Sequence, residues 1–236
     1  MLDRSNDNVV EIVSLNVGMP RTAVHLNKEI FTGIMKLPVQ EPLWLSSVNF
    51  AGDAQGDLVH HGGTEKAVCV YANEHYSYWS DVMGKPLAYG AFGENLTTRG
   101  MTEAEVCIGD IFKLGEATVQ VSQPRQPCYK LAMKHGVPDL PLQVQETGFT
   151  GYYFRVLEEG MVSKQEGLTL LSRHPLGVTV AYANRIMHVE KRNAAGIRTV
   201  LAVDALSVNW RETLSNRLNG IEPDVQKRLA GEASRK

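Results

Sequence analysis

The sequence predicts a mainly β protein of the α+β class with a helical bundle at its C-terminal end. From Val9 to about Arg173, short apolar runs of strand length alternate with glycines, and few segments are long enough for helices. After Pro175 the glycines thin out and apolar residues recur at helical spacing. No Ser/Gly tract separates the two parts, so we expect a β domain at residues 1–175 and a helical extension at residues 176–236 that packs on this domain or on a partner.

The β domain contains several runs with strand character, two of which are joined by a hairpin turn signal at Gly115-Glu116. Two helices are expected to interrupt the sheet, one at Glu74–Met83 with Asn73 as its cap and one at Cys128–Lys134 that ends at Gly136. The clearest strands are Val9–Val17, Glu29–Lys36, Lys66–Tyr71, Ile111–Leu114, Ala117–Ser122, Tyr152–Leu157 and Leu168–Ser172.

The helical extension carries both capping signals and an apolar face. Thr179 and Ser207 are expected to cap helices, Gly220 to end one helix and Pro223 to begin another. An apolar face on such helices could support a homodimer, and the sequence leaves the oligomeric state open. The apolar positions at helical spacing are Val180, Ala183, Ile186, Met187, Leu206, Trp210, Leu214 and Leu218.

The composition is that of an ordinary globular chain, with 43% hydrophobic and 21% charged residues. A formal net charge of -2 gives no general attraction to nucleic acid, so an anionic ligand must be held by a local site. The first residues are polar and no long apolar stretch follows, which argues against export and membrane insertion. The three cysteines suggest neither a disulfide framework nor a zinc site. We therefore expect a cytoplasmic protein with no nucleic-acid or membrane partner.

Cys128 has the most informative surroundings, because it lies between Arg125 and Lys130 on backbone that Pro124 and Pro127 stiffen. A thiol beside two cations is favoured as the thiolate, the form that attacks electrophiles and binds soft metals. A helix beginning at this residue would add its dipole to the same effect. The alternative is a partly buried loop cysteine without a chemical role. Free cysteines usually lie among apolar neighbours, whereas Cys128 has charged ones. We therefore favour a functional cysteine.

The other two cysteines differ from Cys128 in their sequence surroundings. Cys69 and Cys107 each lie within a short apolar run of the kind that forms strands. We predict that both are small core residues without reactivity.

A polar segment, His60-His61-Gly62-Gly63, precedes the predicted strand at Lys66. Glycines let backbone N–H groups approach an anion closely, and imidazole exchanges protons near neutral pH. These properties suit a phosphate or an oxyanion. The alternative is a tight turn that carries two solvated histidines.

A second polar segment interrupts the apolar residues at Phe92–Leu96. Within it, Glu94 is a candidate general base or a group that orients a histidine, and Asn95 can bind a ligand through its amide. The alternative is a β-turn with a structural carboxylate. No GxGxxG, Walker, HExxH or GxSxG motif is present, so the sequence gives no support for a dinucleotide, P-loop or classical hydrolase site.

Taken together, the motifs His61–Ala67, Phe92–Leu96, Gly109-Asp110 and Pro124–Lys130 resemble, in order and spacing, those of MOSC-domain proteins of the bacterial YiiM group. The resemblance extends from about Lys28 to Arg173, and the helical tail is similar to the C-terminal extension of YiiM-like members. It implies a β-barrel-like fold that binds a molybdenum cofactor, a molybdopterin.

The resemblance also implies roles for individual residues. Cys128 would ligate molybdenum or carry sulfur, and His61 and Glu94 would handle protons or orient the cofactor. Arg125, Lys66 and Lys130 would meet the pterin phosphate or another anion. The cofactor-binding residues implied in this way are His60, Gly62, Gly63, Lys66, Asn95, Arg125 and Lys130.

The activity implied by the resemblance is reduction of N-hydroxylated bases such as 6-hydroxylaminopurine. The chain shows no flavin, haem or iron–sulfur motif, so a separate protein would have to donate the electrons. Two alternatives remain open. One is sulfur transfer through a Cys128 persulfide, and the other is a non-catalytic module that binds the cofactor or an anion.

Overall fold

The β domain is a closed seven-stranded barrel with further short strands and helices around it. The computed structural model describes residues 9–25, 27–58, 62–222 and 226–231, and for residues 226 and 227 it describes the backbone alone. The strands are β1 (Val9–Val17), β2 (Arg21–His25), β3 (Lys28–Thr32), β4 (Leu37–Val39), β5 (Leu43–Leu45), β6 (Val68–Ala72), β7 (Leu96–Arg99), β8 (Ile111–Leu114), β9 (Ala117–Pro124), β10 (Tyr152–Glu158), β11 (Gly160–Val162) and β12 (Leu168–Ser172). The helices are α1 (His75–Met83), α2 (Lys130–His135), α3 (Leu140–Thr147), α4 (Val180–His188), α5 (Ala194–Leu201), α6 (Val208–Leu218) and α7 (Gln226–Ala230), with a 3-10 helix at Thr64–Lys66.

The barrel closes through β1, which pairs with β12 near its start and with β7 further along. The strand order around the barrel is β12-β8-β9-β10-β6-β7-β1, and β4 adds to the outer part of β1. The β6–β7 pair is parallel, whereas the other pairs of the barrel are antiparallel. Because the barrel is closed, it has no free sheet edge at which backbone N–H and C=O groups would be left unpaired.

The wall formed by β6, β9 and β10 is most completely buried at β6, all five residues of which are buried. Because successive strand residues point to opposite faces, Val68 and Val70 enter the barrel core together with Tyr152 and Phe154. The intervening residues of β6 face outward, where α1, α2 and α3 cover the wall with a second apolar cluster that includes Tyr71. The outer face of this wall is where the candidate site lies.

The helical extension packs on the β domain, the first of the two expected arrangements. The N–H groups at the start of α4 donate to the Glu103 and Val106 carbonyl groups, with Ala181 N to Glu103 O at 2.7 Å. Thr179 and Ser207 cap α4 and α6 as predicted, and their side chains accept from Tyr182 N and Trp210 N. The core of the extension is centred on buried Trp210 and Leu214.

The mainly β fold class with a helical bundle is confirmed, although some element bounds differ from the prediction. The predicted strand Glu29–Lys36 is wrong at its end, since β3 stops at Thr32. At Gly33 a Cβ would lie 2.2 Å from Ala54 O, so the backbone leaves the strand to pass close to that segment. Asn73 is not the side-chain cap of α1, which begins at His75 after Glu74. The predicted role of Pro223 lies outside the described residues.

Three further expectations can be compared with the structure. Gly115 forms the β8–β9 hairpin turn at φ +56°, as predicted. Lys66, expected to begin a strand, belongs instead to the 3-10 helix that precedes β6. In the part of the chain that the structure describes, no helix has both the length and the apolar character needed to cross a membrane.

Candidate functional site

A cavity of about 80 Å³ on the outer face of the barrel wall brings several of the predicted site residues together. It lies where β9 ends and the segment before α2 begins, and residues before β4 and before β6 complete its walls. The predicted site residues that line it are Lys66, Asn95, Arg125, Cys128 and Lys130.

Arg125 is the cavity residue that most clearly indicates a ligand, because part of its buried guanidinium lacks a described acceptor. Its side chain is buried, with 6% of the residue exposed, and its backbone N–H donates to Gly151 O at 3.0 Å. The Nη1 atom has no hydrogen-bond partner among the described residues. A buried guanidinium donor without an acceptor is costly, because arginine cannot lose its charge in a protein. An anion in the cavity would provide the missing acceptor.

Two lysines add positive charge to the same cavity. Burial lowers the pKa of Lys66, while the charges of Glu65 and Asp57 act in the opposite direction. Lys130 is buried, and its Nζ lies 3.7 Å from Asp57 Oδ2. The cavity therefore combines cations with a limited number of carboxylates, which suits an anionic ligand.

Cys128 lies in the cavity wall with 6% of the residue exposed. The prediction that α2 begins at this residue is wrong by two positions, since α2 runs from Lys130 to His135 and ends at Gly136 as expected. The Cys128 carbonyl nevertheless accepts from Leu131 N at 3.0 Å, so the residue is joined to the first turn of α2. The thiol thus lies on a short segment fixed between the end of β9 and this helix.

Cys69 is a cavity residue that the sequence interpretation placed in the core without a role in the site. It is buried in β6, as predicted, but it points to the outer face and lines the same cavity as Cys128. Burial raises the pKa of the Cys69 thiol to about 11, although the charge of Arg125 opposes this shift. The alternation of Val68, Cys69 and Val70 was the signal that could have placed this side chain opposite the barrel core.

Tyr153 is a further cavity residue that the sequence did not single out. It pairs with Cys69 in the β6–β10 register and therefore shares the outer face of the wall. Burial raises the pKa of Tyr153, so its hydroxyl stays protonated and able to donate. Strand register, which the sequence alone does not provide, brings these two residues together.

Asn95 is fixed in the cavity wall by hydrogen bonds to three different segments. Its Oδ1 accepts from Cys69 N at 3.1 Å, and its Nδ2 donates to Asp53 Oδ2 at 2.8 Å and to Asn16 O at 3.2 Å. Asp53 also forms a buried ion pair with Lys36. Asn95 therefore joins β6 and β1 to the segment of Asp53, whose next four residues also line the cavity.

Glu94 does not reach the cavity, unlike its neighbour Asn95. It is fully buried, and its carboxylate accepts from Gly90 N at 2.9 Å, Phe92 N at 3.0 Å and the Tyr76 hydroxyl. Thr97 Oγ1 donates to the same group at 2.9 Å. These contacts hold the turn before β7, and they bond the Glu94 carboxylate to protein groups instead of exposing it in the cavity.

The predicted glycine and histidine segment is only partly described. Gly62 and Gly63 do not line the cavity, but Gly63 has φ +96° and begins the 3-10 helix that carries Lys66. Its carbonyl accepts from Lys66 N at 3.0 Å. His60 and His61 lie outside the described residues, so their predicted roles cannot be compared with the structure. Among the residues that the structure describes, no group of three His, Cys, Asp or Glu side chains is arranged to hold a metal ion.

Comparison with known proteins gives consistent matches over both parts of the chain. The sequence profile of the MOSC domain matches residues 57–169, and that of the YiiM-like 3-alpha helix domain matches residues 178–220. The protein YflK of Bacillus subtilis is 52% identical over 90% of this chain and 96% of its own length. A protein of Gibberella moniliformis named reductase is 39% identical over 63% of this chain, which corresponds to 27% of that longer protein.

A solved structure agrees with these sequence matches. The crystal structure of YiiM from Geobacillus stearothermophilus is 42% identical, with a TM-score of 0.77 and coverage of 89% of this chain and 99% of that chain. The closed barrel, the helices α4 to α6 and the matching sequences lead to one conclusion. The chain belongs to the YiiM-like MOSC-domain family.

Proposed function

We propose that the protein is a molybdenum-cofactor-dependent reductase of N-hydroxylated bases such as 6-hydroxylaminopurine, with Cys128 as the molybdenum ligand. The observation that carries the proposal is one cavity that contains a thiol together with a buried arginine whose Nη1 has no described partner. Membership of a MOSC-domain family and a relative named reductase give further support. The substrate class, N-hydroxylated bases, is taken from the resemblance to YiiM-like proteins.

The residues of the cavity fit the two chemical ends of a molybdopterin. A thiolate is a soft ligand suited to molybdenum, and Cys128 would supply it. Arg125 would hold the phosphate through its unpaired guanidinium donor, with Lys66 and Lys130 as additional cations. The cavity of about 80 Å³ is smaller than a whole molybdopterin, so part of such a group would lie beyond it.

When bound, the cofactor would supply the two-electron chemistry of the reduction. The overall conversion of an N–OH group to N–H consumes two electrons and two protons and releases one molecule of water. The chain itself would bind the anionic end, exclude water and deliver protons. The lowered pKa of Lys66 makes its ammonium a better proton donor than an exposed lysine, and the protonated Tyr153 hydroxyl can orient a ligand atom.

Electrons would come from a separate donor protein, since the proposal assigns no second redox group to this chain. Asn95 and Glu94 would act on the site indirectly, because their hydrogen bonds fix β6, β7 and the turn between Gly90 and Leu96. His60 and His61 remain candidate proton-handling and cofactor-binding residues, and Gly62 and Gly63 would shape the same segment.

The decisive experiment compares wild-type protein with Cys128→Ser, both purified from cells that make the molybdenum cofactor. We expect molybdenum and pterin in the wild type and a loss of molybdenum of at least about tenfold in the variant. Reduction of 6-hydroxylaminopurine, measured with a supplied electron donor, should fall by a similar factor. Cys107→Ser is the matched control, since Cys107 is also buried but does not line the cavity.

Equal molybdenum content and equal reductase activity in wild type and Cys128→Ser would contradict the proposal. A persulfide detected on Cys128 by mass spectrometry, in protein that never acquires molybdenum or pterin, would instead assign the site to sulfur transfer.

A further inference from the structure

The last described helix, α7, lies against the segment that carries Cys128. Tyr129 N, one residue after Cys128, donates to Arg228 O of α7 at 2.9 Å. The Arg228 guanidinium donates from Nη1 to Pro127 O, one residue before Cys128. Two neighbours of the cysteine in sequence are therefore bonded to one residue from the C-terminal end of the chain.

Arg228 also joins the Cys128 segment to α3. Its Nη2 donates to Gln145 Oε1 at 2.7 Å, so the planar guanidinium bridges a loop carbonyl and a helix side chain. Burial lowers the pKa of Arg228, whereas attraction to Cys128 acts in the opposite direction. Arg228 thus adds a second positive charge near Cys128, supplied by α7, to that of Arg125.

The Tyr129 ring contacts two separate parts of the chain. It stacks on His25 of the β2–β3 hairpin, with ring centroids 5.9 Å apart and an interplanar angle of 26°. It also lies close to Gly231, where an added Cβ would come within 3.2 Å of Tyr129 Cγ. Gly231 also has φ +73°, so glycine allows the chain to pass this close to the ring.

We propose that residues 226–231 form a strap that positions the Cys128 segment, and that Arg228 is the positioning residue through which the strap acts. The YiiM-like 3-alpha helix match ends at residue 220, so α7 lies beyond the part of the extension that this match covers. The strap couples the C-terminal end of the chain to the position of the Cys128 thiol. Its catalytic consequence rests on the proposed function, whereas its effect on the Cys128 segment does not.

The test uses full-length Arg228→Gln, Arg228→Lys and wild-type protein. Hydrogen exchange of the Tyr129 amide is measured together with iodoacetamide alkylation of Cys128, and peptide mass spectrometry separates Cys128 from the other cysteines. For Arg228→Gln we expect both rates to rise at least about tenfold, because the segment opens locally without global unfolding. Arg228→Lys keeps the charge but cannot bridge two acceptors in the same plane, so it should recover only part of the protection.

Arg211→Gln is the matched control. Arg211 donates to the Leu201 and Val203 carbonyl groups inside the extension, at 2.8 and 2.7 Å, and does not contact the Cys128 segment in any described bond. We expect the control to leave both rates within about twofold of wild type. The inference is overturned if Arg228→Gln also stays within twofold, or if Arg211→Gln accelerates both rates as much. Neither the hydrogen-exchange measurement nor the alkylation measurement requires cofactor or substrate, so a failed reductase assay would not affect the outcome.

Discussion

The turn that carries Glu94 and the segment that carries Arg125 both bury a charged side chain, but they treat the charge differently. Glu94 accepts hydrogen bonds from two backbone N–H groups and two hydroxyl groups. Arg125 leaves its Nη1 atom without a described partner and faces a cavity. A buried charge with complete partners holds the structure together, whereas one with missing partners beside a cavity points to a ligand.

The largest effect that would test this contrast is expected at Glu94. Glu94→Ala leaves several buried donors without an acceptor, and we expect the free energy of unfolding to fall by about 3–5 kcal/mol. Urea denaturation measures this change. Glu105→Ala is the control, because Glu105 is exposed and its bonds to Thr102 should contribute less than about 1 kcal/mol. A loss at Glu94 no larger than that of the control would contradict its structural role.

A smaller effect on stability is expected at His188, a buried group that, unlike Arg125, can be neutral. His188 Nε2 in α4 also has no described partner, and it does not line the candidate cavity. Burial lowers the pKa of His188 to about 3, and the positive charges of Arg228, Arg217 and Lys191 act in the same direction. Unlike arginine, histidine can remain neutral, so it tolerates burial without a ligand.

The stability of the protein should therefore depend on pH through His188. Its folded-state pKa is below the ordinary value of 6.5, so the unfolded state binds the proton first as the pH falls. We expect the full stability above pH 6.5 and a loss of about 1.4 kcal/mol per pH unit below it, toward pH 3. Urea denaturation of wild type and His188→Phe from neutral pH to about pH 5 tests this. Parallel pH curves for the two proteins would show that His188 does not carry the dependence.

The smallest effect on stability is expected at Arg125, where the effect on binding should be large. Arg125→Met removes a buried charge that is incompletely paired, so the free energy of unfolding should change by less than about 1 kcal/mol. Phosphate affinity, measured by titration calorimetry, should fall at least about tenfold. Arg155→Met is the control, since Arg155 pairs with Glu65 and does not line the cavity. If Arg125→Met unfolded the protein as readily as Glu94→Ala, the contrast between the two regions would not hold.

The sequence determined the fold class and most of the barrel strands, because short alternating or apolar runs and glycine turns are local signals. The helix caps Thr179 and Ser207 were predictable for the same reason, since a capping side chain bonds within its own first turn. The ordered motifs also indicated the family. Cavity residues Arg125, Cys128 and Lys130 were identifiable because they are close together in sequence.

Only the tertiary structure decided which distant residues share the cavity and which do not. The outward direction of Cys69 and its pairing with Tyr153 depend on strand register, which local sequence does not fix. The separation of Asn95 from Glu94 depends on where the neighbouring backbone N–H groups lie. The contact between Arg228 and the Cys128 segment joins positions far apart in the chain, so it follows from packing and not from any local pattern.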